Sequence, residues 1–103
     1  MAQRIIVYWR DIPAQLIVRQ GRTAERRELP ERFIQAIDRT AMRVGARDSD
    51  AYMAEWRRGD PEPCGDDLAA AADAEAARLV ETYDQERLDR LARQAGWETP
   101  KAE

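Results

Sequence analysis

The first twenty residues constrain the chain most. Residues 4–9 and 14–20 are rich in β-branched and aromatic side chains and flank Arg10-Asp11-Ile12-Pro13, whose aspartate and proline favour a turn. This pattern predicts an antiparallel β-hairpin. Alternation places Ile5, Val7 and Trp9 on one face and Arg4, Ile6 and Tyr8 on the other; in the second strand Leu16 and Val18 oppose Gln15, Ile17 and Arg19. Two strands alone are marginal in water, so helices must pack the hairpin or further strands from a partner must pair with it. Its edges are candidate docking sites, because unpaired N–H and C=O groups can accept a strand from another chain, including a second copy.

Helical spacing fills most of the remainder. Pro30 suits a first helical turn, and Phe33, Ile34, Ile37, Ala41 and Val44 recur at helical spacing before Gly45, which predicts a helix over 30–44. Asp48 or Ser49 caps a shorter expected helix with Tyr52, Met53 and Trp56 on its inner face, ending at Gly59. Asp60-Pro61-Glu62-Pro63-Cys64-Gly65 breaks the helical pattern, since proline lacks a donor and restricts the residue before it. Asp66 and Asp67 then cap an alanine-rich helix with the stripe Leu68, Ala72, Ala76, Leu79 and Tyr83. Around Asp84 the stripe shifts to Leu88, Leu91, Ala92 and Ala95, which means a kink or a fresh helix. Gly96 ends it, and Trp97 is placed to fold back as an apolar anchor. The polar stretch from Gly21 to Arg27 reads as a loop or a ragged strand extension. The expected fold class is therefore α+β, an N-terminal antiparallel β-hairpin packed against three to four helices. Residues 1–97 make one domain and 98–103 a frayed tail.

Composition removes several chemistries. The chain has 103 residues, no histidine and the single cysteine Cys64. The usual general base, Ser-His-Asp and Cys-His catalysis, zinc sites and an intramolecular disulfide are thereby excluded. No metal or cofactor is expected, and no catalytic residue is assigned. No apolar run approaches the roughly 20 residues of a membrane span, and no export signal is evident, so the expected location is the cytoplasm. Charge is divided: residues 1–58 carry twelve arginines against eight acids, +4, while residues 59–103 carry five cations against twelve acids, −7.

Four constellations could carry function. Trp9, Arg10 and Asp11 at the hairpin tip combine an aromatic platform with charge-assisted hydrogen bonding, and with Gln15, Arg19 and Arg32 they form the candidate partner-binding set, docking through the tip and the basic face of residues 19–32. Cys64 precedes a helix N-terminus, which favours a thiolate, but Asp60, Glu62, Asp66 and Asp67 oppose it; it is retained as a possible reactive thiol. The acidic pairs Asp66-Asp67 and Glu81-Asp84 are explained by capping and solvation. Arg22, Arg26, Arg27 and Arg32 suit phosphates, yet no aromatic residue interleaves with them and the chain is net −3.

The segments Val7-Tyr8-Trp9-Arg10-Asp11-Ile12-Pro13-Ala14-Gln15, Leu29-Pro30-Glu31-Arg32-Phe33, Ala36-Ile37-Asp38 and Tyr52-Met53-Ala54-Glu55-Trp56 together resemble the small bacterial "virulence factor" domain family. This domain is also found fused in the conserved virulence factor C proteins. The resemblance runs from about Arg4 to Val80. It implies no established activity, and stand-alone members look like neighbours of corrinoid- and folate-dependent one-carbon methyltransferase genes. The expectation is thus a non-catalytic interaction module, an accessory or adaptor subunit whose partner is such a methyltransferase. A small enzyme or cofactor-handling protein of one-carbon metabolism is the alternative, and a nucleic-acid-binding regulator the third reading.

Overall fold

The computed structural model describes residues 2–46 and 49–98. β1 (Gln3–Trp9) and β2 (Ile12–Gln20) form the expected hairpin, and β3 (Thr23–Glu28) adds a second one. α1 (Glu31–Arg43) and α2 (Ser49–Ala54) follow, then the short strands β4 (Trp56–Arg58) and β5 (Glu62–Pro63), then α3 (Leu68–Thr82) and α4 (Gln85–Arg93). The sheet runs β3-β2-β1-β4, with β5 beside β4 on the outer edge of β1. The α+β class holds.

Both edges of the hairpin are therefore occupied within the chain, which corrects the expectation that they are open to a partner or a second copy. β3 takes the edge of β2, and β4 and β5 share that of β1. Gly21, at φ 60°, makes the turn into β3 without a Cβ penalty. The run 23–28 carries one sign of charge after another rather than apolar alternation, as suits an edge strand that is covered on one side only.

Register divides the sheet into two faces. Arg4, Ile6 and Tyr8 line up with Val18, Leu16, Glu25, Arg27 and Arg57. Arg27 donates to Asp73 of α3 at 2.7 Å, so α3 covers this face. Ile6, Leu16 and Val18 are buried there with Ala72 and Leu79. At the hairpin end Trp9, Ile12, Phe33, Ile37, Leu88 and Leu91 complete the same core. An irregularity at Val7/Tyr8 lets β2 carry one extra residue, Ala14, just after Pro13, which has no N–H to give the ladder. Ile12 and Pro13 are strand residues and buried, so the turn contracts to Arg10 and Asp11.

The helices follow their end signals closely. α1 and α4 both close with the N–H groups past the last turn bonded back to the helix, Ala46 to Ala41 O at 2.9 Å and Gly96 to Leu91 O at 2.7 Å. Asp67 caps α3 by accepting from the Ala70 N–H, and Asp84 caps α4 by accepting from the Arg87 N–H, which makes the segment after Asp84 a fresh helix. Two expectations need correction. The second helix stops at Ala54, and Trp56 belongs to β4, leaving Met53 exposed; Ile34, placed on the inner stripe of α1, is also exposed. Asp48 and the Ser49 side chain, named as caps, lie outside the described residues, as do residues 99–103 of the expected tail. Glu98 is not frayed: its N–H donates to Asp11 Oδ2 at 2.8 Å.

Candidate interaction site

The hairpin tip is a clamp. Arg10 sits at φ 55°, a left-handed conformation that a two-residue hairpin connection demands and that usually falls to glycine, asparagine or aspartate. Its guanidinium lies 5.2 Å from the ring centroids of both Trp9 and Trp97. Its Nε donates to Glu55 Oε2 at 2.8 Å and its Nη1 to the Ala95 carbonyl at 2.7 Å. Asp11 accepts from Arg57 Nη2 at 2.9 Å and its N–H donates to the Gly96 carbonyl at 2.8 Å. Three distant parts of the chain thus meet on one turn.

This geometry sorts the expected contact residues. Trp9 has no exposed surface and its Nε1 donates to the Tyr52 carbonyl at 2.9 Å, so it acts from inside the fold rather than on a partner. Arg10 is largely enclosed. Arg32 lies along Phe33 and donates to the carbonyls of Val80 and Tyr83 at 2.8 and 3.3 Å, tying α1 to the end of α3. Gln15 and Arg19 remain on the other face of the sheet, away from the tip.

On that face the register brings together Gln3, Ile5 and Val7 of β1, Gln15, Ile17 and Arg19 of β2, Ala24, Arg26 and Glu28 of β3 and Arg58 of β4. Ile5 and Ile17, directly opposite one another, are only 3% and 4% exposed although they lie outside the main core cluster. Arg19, Arg26 and Arg58 are exposed. Among the described residues none of the three has an ion pair or a side-chain hydrogen bond. Arg26 falls within the expected basic face of residues 19–32 without being one of its named contacts, and Arg58 lies outside both. Only the strand pairing, which 23–28 did not announce, aligns them with Arg19. Gln15 also borders a groove of about 420 Å³ floored by Leu29, Ile34 and Trp56.

A polar cleft of about 350 Å³ lies between Tyr8, Tyr83, Arg57 and Glu62. Its arginines and most of its carboxylates are engaged: Arg57 with Asp11, Arg4 with Glu62 at 3.4 Å, and Glu98 with Arg87. Cys64, half-buried, donates its backbone N–H to the Ala2 carbonyl, and no second cysteine exists to resolve an oxidised thiol. Among the described residues no three His, Cys, Asp or Glu side chains converge as metal ligands would. Nor is any helix among them long and apolar enough to cross a membrane.

Burial, the leading cause in each, raises the Tyr8, Tyr52 and Tyr83 hydroxyls above the ordinary 10.0. The folded state thus favours the neutral phenols. Their contribution to stability is intact below pH 10.0 and declines as pH rises through the raised values. Spectrophotometric titration should show phenolate appearing at higher pH in the folded protein than in urea; coincident curves would contradict the burial seen here.

A small α+β domain with a clamped hairpin tip and an arginine-bordered sheet face is what these elements define. The family described as Virulence factor matches residues 7–92, and the chain belongs to it. Among curated proteins and solved structures none matches.

Proposed function

We propose that this domain is a non-catalytic interaction module, an accessory or adaptor subunit of a cytoplasmic complex, that docks a partner protein on its arginine-bordered sheet face. The observation that carries this reading is the convergence of Arg19, Arg26 and Arg58, from three strands, around the buried Ile5–Ile17 pair, none of the three in an ion pair among the described residues even though Glu28 shares their face. Unpaired guanidinium groups beside an apolar centre match the composition of protein interfaces, where arginine is enriched. The family resemblance makes a corrinoid- or folate-dependent methyltransferase the partner to look for.

Affinity purification of the tagged protein from its native cytosol, with mass spectrometry of what co-elutes, tests the reading. A stoichiometric protein partner is expected, lost in the Arg19→Glu/Arg26→Glu double variant while the melting temperature stays within a few degrees of wild type. A partner retained by that variant, or retention on DNA that falls steeply with salt in place of any protein, would overturn it.

A further inference from the structure

We propose that the seam between α1 and α4 is a second docking surface, built for an acidic amphipathic helix of a partner protein. Arg39 donates to Asp89 at a separation of 50 residues, and Gln35 with Gln85 and Arg43 with Arg93 line the seam at the same offset. The two helices therefore run parallel and in step. Ile37, Leu88 and Leu91 are buried on their inner faces. On the outside Met42 is 64% exposed, the most exposed large apolar side chain among the described residues. It lines both a groove of about 540 Å³ with Arg39, Ala92 and Arg93 and an adjoining one of about 360 Å³ with Gln35 and Gln85. A polarisable, unbranched side chain at the junction of two grooves is suited to receiving an apolar anchor.

Charge complementarity selects the occupant. The larger groove holds three arginines against one acid, Asp89, which already accepts from Arg39 and from Gln85, each at 2.9 Å. Arg43 and Arg93 are exposed and make no hydrogen bond or close ion pair among the described residues, although Arg93 also lies within electrostatic reach of Asp89. Both sit in the last turn of their helices, whose C-terminal ends contribute roughly −0.5 charge each. Two arginines outweigh that at this end of the seam; Asp38, in the adjoining groove, lies more than a turn earlier on α1, so the positive surplus is confined to the Arg43 and Arg93 end. A third helix laid in the seam would place one large apolar side chain on Met42 and its carboxylates against Arg43 and Arg93.

The probe is a fluorescein-labelled peptide with leucines at helical spacing and glutamates elsewhere, compared with its lysine-for-glutamate counterpart. Saturable anisotropy is expected for the glutamate peptide alone, weakened about tenfold or more by Arg43→Glu/Arg93→Glu and by Met42→Glu. Amide shift changes should fall on α1 and α4 and spare the sheet face. Absence of binding, equal binding of the two peptides, or equal affinity in the double variant would overturn the proposal. So would a wild-type dimer, seen by light scattering, that Met42→Glu dissociates, since a second copy would then be the occupant.

Discussion

Arg10→Ala should lower the melting temperature by about 10–20 °C, a loss of about 2–3 kcal/mol in a domain of this size. The substitution removes the donors to Glu55 and to the Ala95 carbonyl, empties the space between Trp9 and Trp97, and leaves a residue with a Cβ at φ 55°. The charge alone is not the point. Arg10→Lys keeps it but offers a single donor head in place of the planar fork, and should recover only part of the stability. Arg10→Gly relieves the backbone while losing the same contacts, so its difference from Arg10→Ala isolates the conformational strain. Thermal unfolding followed by circular dichroism separates the three. An alanine variant that melts like wild type would show that Arg10 is a contact residue rather than the centre of a clamp.

Gly96→Ala should cost roughly 2–3 kcal/mol, far more than the same change at another left-handed glycine. Gly96 has φ 86°, and a Cβ there would stand 3.1 and 3.2 Å from the stem of Arg10 and 3.3 Å from Thr40 Cγ2. The Arg10 guanidinium is held by two indoles, Glu55 and the Ala95 carbonyl, so the stem cannot swing away. Thr40 is buried and bonded to the Ala36 carbonyl. Gly21 provides the control: its φ is 60° but nothing lies within 4 Å, so Gly21→Ala should cost about 1 kcal/mol, from conformation alone. Equal losses in urea unfolding would mean that the packing of Gly96 against Arg10 carries no energy.

The elements legible in the sequence are those whose signals are local. Pro30 and Gly45 bound α1, and Asp67 and Asp84 cap their helices through their own side chains. What was not legible depends on distant partners. Trp56 sits four residues after Tyr52, a helical interval, yet its backbone is drawn into pairing with Trp9. β3 has no apolar alternation because its pairing with β2 and the Arg27–Asp73 contact hold it. The candidate site divides along the same line. The residue types at the tip are able to make strong directional bonds, and those bonds are satisfied by Glu55, Ala95 and Gly96 of the same chain. Arg26 and Arg58 become neighbours of Arg19 only once three strands are in register.

The clamp also fixes an order of events during synthesis. Arg10 reaches Ala95 across 85 positions and Glu98 reaches Asp11 across 87. Closing such a span from an unstructured chain would cost about 4 kcal/mol in entropy, whereas each hairpin closes over a few residues. On an emerging polypeptide the two hairpins can zip and α3 can settle on them while the tip remains unlatched. Trp9 and Ile12 stay accessible to chaperones or misplaced neighbours until the segment after α4 arrives. The segment after α4 is thus what seals a turn translated 85 positions before it.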